Sequence, residues 1–244
     1  MNSRLEPNRG RIFSMYKHLF FDLDHTLWDF EKNARESLAD LYQAFSLHTS
    51  NISELSAFQQ EFSVVNKRYW SLLERNEITH EELRRRRFRD TLVNLGVDAD
   101  ETFGLQLNEA FLELLPQKSH LIEGAIEILD FFAPNYELHI LSNGWQHVQA
   151  RKISSSNIAH YFKEVITIER AEARKPDKKI FDYAIQVTNA KLSESIMIGD
   201  NFEADILGAI NAQMDSVFYN PDNFEATQKP TFEIKKLIEL KEIL

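Results

Sequence analysis

The chain contains 244 residues, of which 43% are hydrophobic and 27% charged, as in ordinary soluble globular proteins. This length allows one domain with a large insertion, or two domains. The 38 acidic and 28 basic side chains give a net charge of −10, which argues against a general nucleic-acid-binding protein, since such a protein needs a basic face. The absence of cysteine excludes disulfides, thiolate catalysis and thiolate metal sites, and fits a reducing compartment.

The chain begins with a polar segment, MNSRLEPNRGRIFSM, which contains arginines but no apolar stretch of the length found in signal peptides. No later segment has the length and hydrophobicity of a membrane span. We therefore treat residues 1–15 as an N-terminal extension without an assigned function. We expect a cytoplasmic protein that does not act at a membrane.

Five short segments have the length and composition of β-strands, and all but the first lie beyond residue 135. Helical patterns separate the later segments, as in residues 178–188, where apolar side chains recur at helical spacing. Strands that alternate with helices predict an α/β fold with a parallel sheet covered on both faces. The five segments are HLFFDLD, YELHILSN, EVITIE, SIMIGD and SVFYN.

Between the first strand and the later ones, residues 30–115 contain successive helical patterns and no convincing strand. The clearest helix has an apolar face whose members are alternately three and four residues apart. Thr79 with Glu82, and Asp98 with Glu101, have the spacing of helix N-terminal caps. We therefore predict a cap of four helices, inserted directly after the first strand of an α/β core. The apolar face consists of Leu55, Phe58, Phe62, Val65, Tyr69 and Leu72.

Polar and charged residues follow the predicted strands at the points where the strands end. In open α/β sheets, ligands bind outside the carboxyl ends of the strands, where the loops converge. Asp22 and Asp24 are two residues apart in an extended segment and therefore project to the same side. An aspartate at a strand end is often only a helix cap, but four such groups in order on one sheet indicate a catalytic site. The groups are Asp22 with Asp24, Ser142 with Asn143, Lys175, and Asp200 with Asp205.

These groups resemble the four motifs of the haloacid dehalogenase-like hydrolases, and they read here as DLDHTL, LSN, KP and GDNFEAD. The resemblance covers about residues 16–29 and the chain from about residue 120 onward, and the helical insertion is similar to that family's cap. It implies a Rossmann-like parallel sheet in the order 5-4-1-2-3 and a phosphoryl-transfer site. The predicted domains are therefore a core of residues 16–29 and 116–244 and a cap of residues 30–115.

The resemblance implies a two-step hydrolysis of a phosphate monoester. Asp22 matches the nucleophile of the family, and a carboxylate that attacks phosphorus gives an aspartyl-phosphate. Asp24 would protonate the leaving oxygen and then deprotonate the attacking water, a role suited to a neutral acid in a partly desolvated site. Asp22, Asp200 and the backbone carbonyl of Asp24 would hold Mg²⁺, which prefers hard oxygen ligands.

The remaining motif residues would bind phosphate or support the site. Lys175, Ser142 and Asn143 match the phosphate-binding positions, and Lys175 would give this acidic protein the local positive charge that an anionic substrate needs. By the same resemblance, Asp205 would support either Lys175 or a metal-bound water. Thr26 would form a hydrogen bond across the loop and orient the aspartates.

Other functions are possible for the same motifs. The dehalogenase branch of the family also uses an aspartate nucleophile but lacks an acid at the second position, so Asp24 favours a phosphatase over a haloacid dehalogenase. A receiver-type signalling domain also gathers aspartates and a lysine around Mg²⁺, but the large insertion and Asp24 argue against it. A catalytically silent scaffold would normally have lost a motif residue, and none is missing.

The substrate is expected to be a small phosphorylated metabolite, because a helical cap over the site restricts access. Within the family, DLDHTLWDFEKN together with LSNGW is most similar to the pyrimidine nucleotidases. We therefore expect a nucleoside monophosphate substrate, with sugar phosphates as the alternative. The sequence does not determine the oligomeric state.

Several residues near the motifs have two interpretations. Trp28 and Trp145 follow the first and second motifs and either stack on a base or belong to the core. The run RRRRF either attracts phosphate or is a solvated helix face, and Arg84 is the arginine expected to point inward because it shares a face with apolar residues. His25 and His147 are expected to form local hydrogen bonds rather than to bind a metal.

Overall fold

The computed structural model describes residues 15–49, 52 and 54–244, so the N-terminal extension lies outside the described residues except for Met15. Six β-strands form one sheet in which every neighbouring pair is parallel. The strands are β1 (His18–Phe21), β2 (Glu137–Leu141), β3 (Phe162–Ile166), β4 (Ser195–Gly199), β5 (Asp215–Tyr219) and β6 (Phe232–Ile234).

The strand order is β3-β2-β1-β4-β5-β6, which places β1 in the middle of the sheet. Read from β5, this order is the predicted 5-4-1-2-3, so the predicted α/β fold is confirmed. The sequence analysis missed β6, which pairs with β5 at the edge. Its three residues, Phe232–Ile234, are too few to show a strand pattern beside the preceding Pro230.

The central strand β1 is buried on both faces of the sheet. All four of its residues are buried. Leu19 and Phe21 pack into the larger apolar cluster, whereas Phe20 packs into a second cluster on the opposite face. This two-sided burial explains why the segment is a continuous apolar run rather than an alternating one.

Ten α-helices are described along the chain, and none of them has the length and apolar character needed to cross a membrane. The four helices between β1 and β2 that precede residue 115 occupy the segment predicted as the cap. The helices are α1 (Phe30–Ala44), α2 (Leu55–Glu74), α3 (His80–Asn94), α4 (Glu101–Leu114), α5 (Ala125–Phe132), α6 (Gln146–Ser155), α7 (Ile168–Ala171), α8 (Lys178–Thr188), α9 (Gly208–Asn211) and α10 (Leu240–Ile243).

Two predicted helix starts have different outcomes. Thr79 caps α3 as predicted: its hydroxyl accepts from the Glu82 backbone N–H, and the Glu82 carboxylate accepts from the Thr79 backbone N–H. The prediction for Asp98 is wrong, because α4 begins later and Asp100 is its N-cap. The Asp100 carboxylate accepts from the backbone N–H of Phe103 at 2.8 Å.

Aromatic rings fill the interior of the cap. Phe58 and Phe62 on α2 are buried, as the predicted apolar face requires. The ring of Phe62 lies 4.7 Å from that of Phe88 on α3 and 5.1 Å from that of Phe111 on α4, measured between centroids. Three helices of the cap are therefore joined by one aromatic cluster.

The cap meets the core along a seam at the carboxyl end of α2. The ring of Trp70 on α2 lies 6.4 Å from the ring of Trp145, which precedes α6 in the core, and His80 lies 5.0 Å from Trp145. One turn after Trp70, the Glu74 carboxylate accepts a hydrogen bond from the Asn201 amide at 2.8 Å. Because Asn201 is the second residue after β4, this seam lies beside the strand ends.

Candidate active site

The parallel sheet brings the predicted motif residues to one edge. In β1, Phe21 is level with Ile140 of β2 and with Ile198 of β4, so these three strands end at nearly the same height. Asp22 and Asp24 follow β1, and Asp200 follows β4. The loops therefore converge at the switch in strand order, between the central strand and its two neighbours.

Lys175 forms the centre of the cluster. Its ammonium lies 2.6 Å from Asp22 Oδ1 and 2.6 Å from Asp205 Oδ1, and it donates to the backbone carbonyl of Leu141 at 2.7 Å. The side chain is 2% exposed. Burial acts to lower the pKa of Lys175, but the charges of Asp205 and Asp22 outweigh burial and raise it. Lys175 is therefore a permanent cation next to the predicted nucleophile.

The carboxylates around Lys175 outnumber the positive charge. Burial raises the pKa of Asp22 to about 7, against the opposing effect of Lys175 and with a further increase from Asp205. Burial likewise raises the pKa of Asp200 to about 6, with the charge of Asp22 adding to it. For Asp205, burial raises the pKa to about 6 although Lys175 opposes it. The site carries unneutralised negative charge at neutral pH.

The same three carboxylates fit a divalent metal. One oxygen each from Asp22, Asp200 and Asp205 lie within 4.8 Å of one another. The Thr26 hydroxyl donates to Asp200 Oδ1 at 2.7 Å and fixes that carboxylate. A hard cation such as Mg²⁺ takes carboxylate oxygens and would neutralise the excess charge. The contribution of the Asp24 backbone carbonyl stays a prediction.

Asp24 is bound to helix α6 rather than to the lysine at the centre. Lys152 donates to its two carboxylate oxygens at 2.6 and 2.8 Å, and the Gln149 amide donates at 2.9 Å. Burial acts to raise the pKa of Asp24, but Lys152 and Gln149 outweigh it and lower the pKa. The lowered pKa favours the ionised form of Asp24 in this arrangement, and its role as proton donor and acceptor stays a prediction.

Lys152 and Gln149 are the residues of this cluster that the sequence analysis missed. They lie three positions apart on α6 and therefore share one helix face. Both are buried, and the Lys152 ammonium lies 4.6 Å from the centre of the Trp28 ring. The sequence feature that could have identified them is a glutamine and a lysine at helical spacing in the helix that follows the LSN motif. That spacing is common on solvated helices, so it did not single them out.

The two residues of the LSN motif have different surroundings. The Ser142 hydroxyl accepts hydrogen bonds from the backbone N–H of Gly144 at 3.1 Å and from the Gln149 amide at 2.7 Å. The Asn143 side chain instead clamps the backbone of Lys175: its Oδ1 accepts from the Lys175 N–H at 2.8 Å and its Nδ2 donates to the Lys175 carbonyl at 3.0 Å. The Asn143 side chain therefore holds the backbone of Lys175 in place. The predicted phosphate contacts of both residues stay predictions.

Gly199 allows Asp205 to approach the end of β4. A Cβ atom at position 199 would lie 2.1 Å from Asp205 Oδ2, so any larger residue collides with the carboxylate. Asp205 lies in a π-helical turn, Phe202–Leu207, and its Oδ2 accepts from the Asn201 backbone N–H at 3.0 Å. The glycine of the GDNFEAD motif is thus a packing requirement of the site.

The tryptophans and histidines near the motifs differ in their burial. Trp28 is fully buried, and its indole N–H donates to Ser156, so it belongs to the core. Trp145 is partly exposed at the seam with the cap. The His25 backbone N–H donates to the Trp28 carbonyl at 2.9 Å, and His147 is exposed.

The expectation that Arg84 points inward is wrong. Arg84 is partly exposed and forms an ion pair with Glu109. The buried arginine of the run is Arg87, which is 2% exposed. It lies at the middle of the buried face of α3, between Leu83 and Thr91, which are four residues before and after it.

The family model of the haloacid dehalogenase-like hydrolases matches residues 16–213. The chain belongs to this family. The match includes every motif residue discussed above, and the predictions of the family and of a hydrolase are confirmed. The site just described is therefore the motif site of a haloacid dehalogenase-like hydrolase.

Relatives of this haloacid dehalogenase-like hydrolase include two pyrimidine 5'-nucleotidases, as the motifs predicted. PynA of Streptococcus pneumoniae is 30% identical over 233 residues, which are 94% of this chain and 95% of that protein. YjjG of Escherichia coli is 30% identical over 229 residues, which are 93% of this chain and 96% of that protein. The crystal structure of the HAD-hydrolase YfnB from Bacillus subtilis, bound to magnesium, has a TM-score of 0.84 and 29% identity, with coverage of 94% of this chain and 98% of that one.

Proposed function

We propose that this protein is a Mg²⁺-dependent phosphatase that hydrolyses small phosphate monoesters, in particular nucleoside monophosphates, through an aspartyl-phosphate on Asp22. The observation that carries the proposal is the buried contact of Asp22 with Lys175 at 2.6 Å, within a cluster that also holds Asp200 and Asp205. The names of the relatives PynA and YjjG support a nucleotide substrate. The magnesium bound to the related YfnB supports the choice of metal.

The first step requires an ionised Asp22 next to a phosphate dianion. Asp22, Asp200 and the Asp24 backbone carbonyl would hold Mg²⁺, with Asp205 beside them. The cation supplies positive charge that favours ionised carboxylates and neutralises phosphate oxygens. Lys175 adds a fixed ammonium in contact with the attacking carboxylate and offers it to the phosphoryl group as charge develops. Attack by Asp22 oxygen on phosphorus breaks the bond to the leaving oxygen.

Asp24 serves both steps as proton donor and acceptor. In the described state it is ionised, which is the form needed to take a proton from the water that hydrolyses the aspartyl-phosphate. To protonate the leaving oxygen in the first step it must gain a proton. A bound phosphate dianion favours this, because negative charge nearby raises the pKa of a carboxylic acid and competes for Lys152.

The test is turnover of a panel of phosphate esters by the purified protein with and without Mg²⁺. We expect hydrolysis that requires Mg²⁺, with UMP and CMP preferred to ribose 5-phosphate, and a phosphoenzyme that is trapped by rapid acid quench and mapped to Asp22. A preference for sugar phosphates would favour the alternative substrate class. Release of halide from a 2-haloacid without phosphatase activity would overturn the proposal.

A further inference from the structure

Arg87 places a positive charge in the interior of the cap. Its Nε donates to Asn108 Oδ1 at 2.8 Å and its Nη1 donates to Asn66 Oδ1 at 3.1 Å. The guanidinium also lies between 5.2 and 5.8 Å from the ring centres of Phe62, Phe88 and Phe111. Burial lowers the pKa of Arg87, yet a guanidinium remains charged at neutral pH.

The guanidinium of Arg87 has fewer hydrogen-bond acceptors than donors. Among the described residues, Arg87 has no carboxylate in contact, and its Nη2 is buried without a hydrogen-bond acceptor. Two further buried donors beside it, Nδ2 of Asn108 and Nε of Arg84, also lack acceptors among these residues. Buried donors in native proteins are normally paired, so three unpartnered donors in one place mark the interior of the cap as unusually polar.

A cavity of about 460 Å³ lies next to Arg87, between α1 and α2. Asn66 and Phe62 line this cavity, and both also contact the Arg87 guanidinium. These two side chains therefore connect the buried cation to the wall of the cavity. The volume is within the range of small-molecule sites.

One residue of the cavity wall, Phe30, lies near the loop that follows β1. Its ring centre lies 5.0 Å from the ring of His25 and 5.9 Å from the Lys152 ammonium. Lys152 in turn holds the carboxylate of Asp24. Phe30 therefore lies between the cavity and the residues that surround Asp24.

We propose that Asn66 recognises the base of the substrate by donating from its Nδ2 to the O2 carbonyl that cytosine and uracil share, while Arg87 acts as the positioning residue that holds the Asn66 Oδ1. This inference rests on the proposed function and extends it to the specificity of the same site. Asn66 is buried at the wall of the cavity with its Oδ1 fixed by Arg87, and Phe30 offers a ring on which a base can stack. Asn66 is thus a specificity-determining residue of the cap, and the base would lie between α1 and α2.

The main test uses Asn66→Asp with UMP, CMP and ribose 5-phosphate, a substrate that keeps the sugar and the phosphate but lacks the base. The new carboxylate gives Arg87 an ionic partner and replaces a donor by an acceptor. We expect kcat/KM for UMP and CMP to fall at least tenfold relative to that for ribose 5-phosphate, mainly through KM, with no loss of thermal stability. A role confined to cap stability predicts an unchanged ratio, and that result would overturn the inference.

Two further variants keep the test decisive. Arg87→Met removes the group that holds the Asn66 Oδ1 and is expected to lower the same ratio at least tenfold. Arg85→Met is the matched control, since Arg85 is exposed on the same helix and pairs only with the surface residue Glu81 among the described residues. The control is expected to change neither ratio nor stability. If Arg87→Met does not fold, Asn66→Asp alone decides.

Failure of the inference is distinguishable from failure of the proposed function. If the wild type hydrolyses no phosphate ester with Mg²⁺, the proposed function fails, and binding of uridine is then measured by calorimetry. Binding by the wild type with at least tenfold weaker binding by Asn66→Asp supports the base site. Equal binding by both proteins, or binding by neither, overturns it.

Discussion

Two regions of this protein bury charge, and they do so with opposite sign. At the strand ends, three carboxylates surround the single ammonium of Lys175. In the cap, the guanidinium of Arg87 meets two amide oxygens and three phenyl rings, and no carboxylate among the described residues. Both arrangements are unfavourable without a ligand, because a buried charge needs a partner.

The sign of the unbalanced charge in each region indicates which ligand that region accepts. The excess carboxylates at the strand ends favour a divalent cation, and the unpaired donors in the cap favour a carbonyl oxygen. We expect substitutions in the two regions to have different effects. Loss of a charge at the strand ends should abolish catalysis, whereas loss of the charge in the cap should reduce substrate selectivity. The predictions below test this difference, beginning with the largest effect.

Asp22→Asn is expected to lower kcat by a factor on the order of 10⁴ or more, because an amide is a poor nucleophile and contributes no negative charge to the metal site. Steady-state rates at saturating Mg²⁺ measure this. The matched control is Asp182→Asn, which removes a half-exposed carboxylate that pairs with Lys178 on α8. Full activity of Asp22→Asn would exclude the proposed nucleophile.

Asp24→Asn is expected to slow both formation and hydrolysis of the phosphoenzyme, by roughly 10²- to 10⁴-fold, because it removes the proton carrier. Metal binding should persist, since the predicted contact there is a backbone carbonyl. Quenched-flow measurement of both steps and a calorimetric Mg²⁺ titration check this. A variant that loses Mg²⁺ binding together with activity would show that the Asp24 side chain has a metal role instead.

Lys175→Met is expected to destabilise the metal-free protein by about 3–5 kcal/mol at pH 8, because it leaves buried carboxylates without their cation. Arg87→Met should lose less, since the groups it leaves unpaired are neutral amides. Urea unfolding of both variants beside the wild type gives the two free energies. Equal losses of unfolding free energy would mean that Lys175 and Arg87 contribute to stability in the same way.

Mg²⁺ is expected to raise the melting temperature more at pH 8 than at pH 5. Burial raises the pKa values of Asp22 to about 7 and of Asp200 and Asp205 to about 6 in the metal-free protein. The contribution of these protonated groups to the free energy of unfolding is therefore fully present below about pH 4, and it is lost as the pH rises through 6 and 7.

The cation replaces the lost protons, so its effect grows over the same pH range. At a concentration about 100 times its Kd, the stabilisation is about 2.7 kcal/mol, or roughly 5–10 °C. Differential scanning calorimetry with Mg²⁺ and with EDTA at each pH measures it. A shift that does not depend on pH would place the metal away from these carboxylates.

The sheet and its motif residues could be predicted because each signal is local. A buried parallel strand is a continuous apolar run, and the groups that follow it must converge at one edge. Residues far apart, such as Asp22 and Lys175, are brought into contact by this rule alone. β6 could not be predicted in this way, because a segment of three residues is too short to show the alternation of apolar and polar residues.

The partners of Asp24 and the polarity of the cap interior depended on packing that the sequence does not show. Lys152 reaches Asp24 only because the fold places the buried face of α6 beside the loop that follows β1, and the same lysine on a solvated helix would look identical in the sequence. Arg87 was overlooked because arginines are expected to face solvent, and apolar neighbours led to Arg84 instead. Both residues are buried cations, which occur where a specific partner outweighs the preference for water.

The seam between cap and core also equips the protein with an optical reporter. The chain has three tryptophans, and two of them, Trp70 on the cap and Trp145 on the core, lie with ring centres 6.4 Å apart. Indoles at this separation couple electronically, so their near-ultraviolet circular dichroism depends on the distance between them. Any displacement of the cap would change that distance, so the unlabelled protein would report it in its own near-ultraviolet spectrum.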